Sequence, residues 1–270
     1  MRERVIDPVS HTVYKSLPEF LDTEERPSGI LTVMHGGMPI DVLHDPRGFN
    51  TTTVFFQAAV TRPDIQFPVF SGRMISAKMP TNRVHIGDPS LYLSKDLGLG
   101  WYAGNRYQAL QDVLTEIICH LIPDCQRIVL FGASGGGFAA LYYASRLPGA
   151  LAVPVNPQTN LARYRRLPVD RYGRLAWGLE GERLCSQIPA VTDLVTHYKD
   201  QQSTRVWYVQ NTGDSTHLER QFTPFMDGLT AGHSVTPVLI DGPEGHRPPP
   251  RPQLTAVLAA AVEGDDVPSL

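Results

Sequence analysis

"VLFGASGGGFAALYYA", Val129 to Ala144, sets one serine among four glycines, between an apolar run and an alanine-rich run. Glycine-rich turns between a strand and a helix often cradle phosphate. Two nucleotide-binding patterns fail here on residue type. A dinucleotide fingerprint needs glycine where Ser134 stands, and a phosphate loop needs lysine after its last glycine, where Gly137 is followed by Phe138. What the stretch satisfies is G-x-S-x-G, as Gly132-Ala133-Ser134-Gly135-Gly136. That spacing has a steric reason. A serine on a sharp, strained strand-to-helix turn needs neighbours two residues away that carry no side chain, and its hydroxyl then stands at the carboxyl edge of the sheet. The preceding "RIVLF" reads as strand and the following "GFAALYYASRL" as helix. The competing reading of Ser134 is a plain helix cap.

Outward from this stretch, short apolar or β-branched runs bounded by Gly, Pro, Asn or Asp read as strands. They are Ile30–Met34, Ile40–Leu43, Thr51–Val60, Arg83–Ile86, Arg127–Phe131, Leu151–Val155, Arg205–Gln210 and Ser234–Ile240. Helical patterns fall at Arg106–Leu121, Gly137–Arg146, Ile188–Tyr198, His217–Leu229 and Pro252–Val262. In the first of these, Leu110, Val113, Ile117 and Leu121 form one apolar stripe. Strand and helix alternate from Arg83 onward. This predicts an α/β fold, a mostly parallel central sheet of about eight strands with helices on both faces. "HGGMP" between the first two runs suits an antiparallel hairpin at one sheet edge, so His35-Gly36-Gly37 reads as a turn. Residues 1–270 read as a single domain. About 50 residues separate Val155 from Arg205, more than one crossover helix needs. The surplus, Leu161 to Cys185, is predicted to be a small cap. Thr61 to Asn82 has little periodicity and reads as an irregular crossover.

With its strand and helix in place, the extended pattern G-x-S-x-G-G resembles the nucleophile elbow of the α/β-hydrolase fold, as in serine esterases and prolyl-oligopeptidase-type peptidases. The resemblance covers the chain from about Thr51 and the first fifty residues poorly. It implies that Ser134 is a nucleophile forming an acyl-serine, followed in chain order by an acid and a histidine. Four histidines follow Ser134. His246 is favoured as base, because it lies on a Gly/Pro loop between the last strand and the last helix. His197 falls in a helical pattern and His233 precedes a strand, and ordinary roles suffice for both. His217 reads as a solvated residue. For the acid, the loop after "RVWYVQN" offers Asp214, which also suits the N-cap of the next helix. A capping carboxylate is not expected to orient an imidazole with full effect, so Asp241 and Glu244 stand in reserve. The oxyanion hole would take the N–H of Gly135 and one from Gln57-Ala58-Ala59, where the family often has His-Gly. The second donor stays open between Ala58 and Ala59.

The formal net charge is −3, from 24 Lys and Arg against 27 Asp and Glu, so no broad footprint for nucleic acid or an anionic membrane is present. A small-molecule acyl substrate is the expected partner, with neither nucleic acid nor membrane, and association into a homo-oligomer stays open. Cys119, Cys125 and Cys185 show no CxxC spacing, so neither a disulfide framework nor structural zinc is expected. No cofactor or metal is called for. No signal peptide is visible and no run approaches the roughly 18 apolar residues of a membrane span, which predicts a cytoplasmic protein. The segment Leu161 to Cys185 carries Arg163, Arg165, Arg166, Arg171, Arg174 and Arg183, with Tyr164, Tyr172 and Trp177 among them. One reading is a pocket for a carboxylate or phosphate. The commoner reading is a solvated surface. "VNPQTN", Val155 to Asn160, leaves the sheet beside the elbow. Gln57, Asn156, Gln158, Tyr164 and Arg165 are the candidate substrate contacts. The function so predicted is a serine hydrolase of esters or thioesters. An acyltransferase, cyclase or peptidase sharing the acyl-enzyme, or an inactive relative that binds a ligand, are the alternatives.

Overall fold

The computed structural model describes residues 2–62, 64–122, 127–179, 184–201 and 203–269. Its strands are β1 (His11–Tyr14), β2 (Gly29–His35), β3 (Met38–Asp45), β4 (Thr51–Phe56), β5 (Asn82–Ile86), β6 (Arg127–Ala133), β7 (Leu151–Val155), β8 (Arg205–Asn211) and β9 (Val235–Ile240). They form one sheet in the order β1-β2-β3-β5-β4-β6-β7-β8-β9. β3 runs antiparallel to both its neighbours, and the other pairs are parallel. β4 and β7 are buried along their whole length, as strands covered on both faces must be.

The helices are α1 (Leu17–Leu21), α2 (Leu110–Leu121), α3 (Gly135–Ser145), α4 (Arg166–Tyr172), α5 (Leu184–Gln187), α6 (Leu194–His197), α7 (Ser215–His217), α8 (Thr223–Asp227) and α9 (Arg251–Glu263). The stripe Leu110, Val113, Ile117 and Leu121 of α2 packs in one core with Phe138 and Leu141 of α3 and with Leu130 of β6. On the opposite face Leu254, Val257 and Leu258 of α9 pack in a second core with Val129 of β6 and with Leu151 and Val153 of β7. Val129 and Leu130 thus point to opposite faces, as the strand period requires. Each such side chain contributes about 1.5–3 kcal/mol by leaving water.

Four expectations are corrected. The sheet has a ninth strand, β1, which pairs parallel with β2 and places the β2–β3 hairpin inside the sheet rather than at its edge. The run from Thr51 leaves the sheet after Phe56. The pattern Ile188–Tyr198 breaks, because Pro189 lies in it and Asp193 starts a new helix, accepting from the N–H groups of Val195 and Thr196. The pattern from His217 is divided by a wide turn at Leu218–Phe222, just before Pro224, whose missing N–H disturbs the helical ladder. Gly36 and Gly37 do form the hairpin turn, with φ of 57° and 73°. Residues 61–81 carry neither helix nor strand among those described. No helix among the described residues is long and apolar enough to cross a membrane.

Candidate active site

The chain passes from β4 to β5 on one side and then returns to β6 on the other, so the carboxyl ends of β4 and β6 meet where the strand order reverses. Crevices for ligands form at such points. Ser134 lies there, between the end of β6 and the start of α3, with φ 55° and ψ −117°. That backbone conformation costs of the order of 1–3 kcal/mol. It is held by the Ser134 N–H donating to the Val155 carbonyl at 2.9 Å, and by the Ser134 carbonyl accepting from Gly137 and Phe138. The flanking glycines are needed sterically. A methyl on Gly132 would sit 2.2 Å from the Gly136 carbonyl oxygen, and one on Gly136 would sit 2.6 Å from that of Phe56.

His246 follows β9. Its loop is tied down by the Gly245 N–H donating to the Gly213 carbonyl at 2.9 Å. Asn156 and Asn211 add further ties. The Asn156 amide donates to the Arg247 carbonyl at 2.8 Å and accepts from the Asn211 N–H at 2.7 Å, while the Asn211 amide donates to the Pro243 carbonyl. Asn156, a candidate substrate contact, therefore spends its amide on positioning the histidine loop. The result places His246 Nε2 2.9 Å from Ser134 Oγ and His246 Nδ1 2.7 Å from Asp214 Oδ2. With the proton on Nδ1 donated to the carboxylate, Nε2 is free to accept from the serine hydroxyl.

Asp214 resolves the expected conflict between capping and orienting by dividing its oxygens. Oδ1 accepts the His217 N–H at 3.2 Å and caps α7, while Oδ2 accepts from His246. Burial alone would push this carboxyl up, but the hydrogen bonds it accepts from His217 and His246 outweigh burial and hold it well below the usual carboxylate range. Asp241 is exposed and takes the Thr212 hydroxyl instead, and Glu244 is exposed.

His217, expected in solvent, is buried at 1 % exposure. Its ring stacks on His246 with centroids 3.8 Å apart and planes 8° off parallel. Gln158, fully buried, links the two halves of the site. The Trp101 indole N–H donates to Gln158 Oε1 at 3.0 Å, which points the amide nitrogen at Ser134 Oγ (2.9 Å) and at His217 Nε2 (3.0 Å). His217 must then accept at Nε2 and carry its proton on Nδ1. That atom lies 3.0 Å from Asp214 Oδ2 but off the axis of a hydrogen bond. Burial lowers the His217 pKa, countered by Asp214 and reinforced by His246 and Arg165. Asp214, His217 and His246 are also residues of metal-ligating type, with ligand atoms within 4.8 Å of one another. Hydrogen bonding already engages every ring nitrogen of the pair except His217 Nδ1.

Around this centre, the Gly135 N–H opens α3, where helical N–H groups have no partner within the helix. Leu99 packs on Gly135, and a methyl there would lie 2.3 Å from Leu99 Cδ1. The Gln57 N–H is engaged by the Tyr102 hydroxyl at 2.7 Å, which leaves Ala58 and Ala59 as the next donors along the chain. The carbonyl of Gln57 abuts Gly136, so this segment does reach the elbow, while the buried Gln57 amide has no hydrogen bond with a described residue. Tyr164 meets Trp101 and His217 edge-on, both at 5.9 Å. Arg165 is exposed beside it. Of the arginine-rich segment, Arg183 lies outside the described residues. Trp101 and Tyr102 escaped the sequence reading altogether. The signal that could have found them is "GWYAG", an aromatic pair between glycines, whose two φ values are 53° and 55°. His197 bonds the Ser145 hydroxyl and His233 the Tyr198 carbonyl, away from this cluster.

No protein-family model matches the chain, and no curated protein matches it in sequence. Solved structures do. The capsule O-acetyltransferase of Neisseria meningitidis serogroup A is 20% identical over 78% of this chain and 88% of that one, with a TM-score of 0.59. MPT51 of Mycobacterium tuberculosis is 16% identical over 90% of this chain and all of the other (100%), with a TM-score of 0.59. An S-formylglutathione hydrolase from Agrobacterium tumefaciens is 14% identical over 87% and 93%, with a TM-score of 0.56. At these identities the likeness speaks for architecture, and the chain has the α/β-hydrolase fold.

Proposed function

We propose that this chain is a serine hydrolase acting on an ester or thioester of a small molecule. The observation that carries the reading is the hydrogen-bonded chain from Ser134 Oγ through His246 to Asp214 at 2.9 and 2.7 Å, built on a serine at φ 55°. A serine hydroxyl is a weak nucleophile until a base takes its proton and a third group orients that base. Ser134 Oγ attacks the carbonyl carbon as its proton passes to His246 Nε2. Asp214 steadies the imidazolium so formed. The oxyanion of the tetrahedral intermediate takes the N–H of Gly135 and that of Ala58 or Ala59. His246 returns the proton to the departing alcohol or thiol, leaving acyl-Ser134. Water, deprotonated by His246, then releases the acid and restores the serine.

A second reading, transfer of the acyl group to an alcohol, draws support from the likeness to the capsule O-acetyltransferase. It shares every step up to the acyl-enzyme. A fluorophosphonate should label Ser134 in the native chain and fail on Ser134→Ala, which should also lose p-nitrophenyl acetate turnover while melting within about 2 °C of the parent. Retained turnover in Ser134→Ala refutes the reading, and absence of label in the parent favours an inactive ligand-binding relative. Discharge of the trapped acyl-enzyme faster by added alcohol than by water selects transfer.

A further inference from the structure

An open cleft of about 470 Å³ lies between the arginine-rich segment and the chain around Ala59 and Leu99. Five basic residues line it, Arg2, Arg62, Lys95, Arg165 and Arg171, against one acid, Asp96. The chain as a whole is net acidic, so this concentration of positive charge is local. Arg2 is tied to the carbonyls of Ser94, Lys95 and Leu97. Arg62 approaches Asp64 at 3.8 Å, both side chains being exposed. The side chains of Lys95, Arg165 and Arg171 have no hydrogen bond or ion pair with any described residue. Like charges gathered in a cleft repel one another, and an anionic ligand relieves that repulsion.

The inner end of the cleft adjoins the proposed reaction centre. Leu99 is the residue packed on Gly135, Ala59 is a candidate oxyanion donor, and Tyr164 touches both Trp101 and His217. The Arg165 charge is felt at His217. Guanidinium groups bind phosphate and carboxylate through paired N–H donors, and a volume of this order accommodates a substituent of drug size.

We propose that the cleft binds an oxyanion-bearing substituent of the substrate, phosphate or carboxylate, while its acyl carbon lies at Ser134. This rests on the acyl-serine reading and names the substrate class for it. The test pairs each anionic probe with a smaller neutral analogue. Acetyl-CoA, with phosphates on the leaving group, is set against S-acetyl-N-acetylcysteamine. The p-nitrophenyl monoester of glutaric acid, with a carboxylate on the acyl side, is set against p-nitrophenyl butyrate. At low salt one anionic probe should exceed its neutral counterpart at least tenfold in kcat/KM, and the winning pair tells which end carries the anion. The preference should fall at least tenfold in Arg165→Gln/Arg171→Gln and stay unchanged in Arg163→Gln, an exposed arginine of the same segment outside the cleft. Equal rates within both pairs, or a preference that survives the double substitution, overturn the proposal while turnover of the neutral esters leaves the acyl-serine reading standing. If no ester is turned over, calorimetry of CoA and of glutarate on the native chain decides the cleft alone. Binding lost in the double variant supports it, and no binding of either refutes it.

Discussion

Replacing Asp214 with asparagine isolates what the shared carboxylate does, because the shape is kept and one acceptor becomes a donor. Asp214 has two duties on two oxygens, the His246 Nδ1–H at 2.7 Å and the His217 backbone N–H at 3.2 Å. An amide satisfies only one of them. If its NH2 faces His246, the imidazole must present a lone pair at Nδ1 and carry its proton on Nε2, so that Ser134 Oγ meets a donor in place of a base. If its NH2 faces His217, two donors oppose each other at the start of α7, and the imidazolium formed during attack has lost its negative partner. The comparable substitution in a serine protease lowers kcat about 10⁴-fold. We expect a loss of about 10³- to 10⁴-fold here, or about 4–5.5 kcal/mol of barrier. Stability should fall by about 1–3 kcal/mol, the range for losing a cap or leaving a buried donor unpaired.

The assay is steady-state hydrolysis of p-nitrophenyl acetate beside the rate of fluorophosphonate labelling, with thermal melts to show that the variant folds. Asp241→Asn and Glu244→Gln, both changes at exposed residues, should stay within twofold of the parent. A folded Asp214→Asn protein that keeps more than a tenth of the parent rate would refute the assignment, as would an Asp241→Asn protein that loses as much.

Two further outcomes test the frame around the site. Gly136→Ala drives a methyl to 2.6 and 2.7 Å from the carbonyl oxygens of Phe56 and Gln57, which are backbone and cannot swing aside. It should cost about 1–3 kcal/mol, and a melting temperature within 1 °C of the parent contradicts the close approach of β4 to the elbow. Burial lowers the His85 pKa to about 4, the ring being stacked on Phe55 at 4.7 Å. For a base depressed on folding, the unfolded chain takes a proton near pH 6.5 and the folded chain only near 4. The His85 contribution is therefore complete above pH 6.5 and lost progressively as pH falls to 4, by about 3 kcal/mol. Urea unfolding at pH 7.5, 5.5 and 4.5 should show that slope in the parent and a shallower one in His85→Gln, and identical slopes would disprove it.

How far the sequence carried the architecture can be judged from particular elements. The strands leading to the site, β4, β6, β7, β8 and β9, are uniform apolar or β-branched runs between turn residues, and burial on both faces leaves them little freedom to look otherwise. The edge strand β1 is four residues, "HTVY", with one of them buried. So short a run has no pattern to detect, and its pairing with β2 is decided by tertiary contact. Arg4 bonds the buried Asp41 carboxylate of β3, so the first residues are also held by an ion pair that no periodicity announces. Among the candidate site residues, Ser134, Asp214 and His246 were legible because each follows a strand, on the same sheet edge, in a turn whose glycines and prolines mark it.

How the remaining residues of the site connect was illegible for a different reason. Gln158 reads as a candidate substrate contact next to an Asn-Pro turn, His217 as a solvated residue opening a helical pattern, and Trp101 falls in a stretch with no period. Nothing local marks the links among them, since those arise from partners far along the chain. Trp101 is 57 residues from Gln158, and Gln158 is 59 from His217. What makes them one unit is satisfaction of buried polar groups. An indole N–H excluded from water needs an acceptor, and the amide that supplies it is thereby turned so that its nitrogen faces Ser134 Oγ and His217. The same turn requires an acceptor at His217 Nε2 and thus fixes the tautomer of a ring stacked on His246. A histidine that looked solvated on the sequence becomes, once Tyr164 packs on it and Gln158 donates to it, a neutral ring sharing Asp214 with the proposed base.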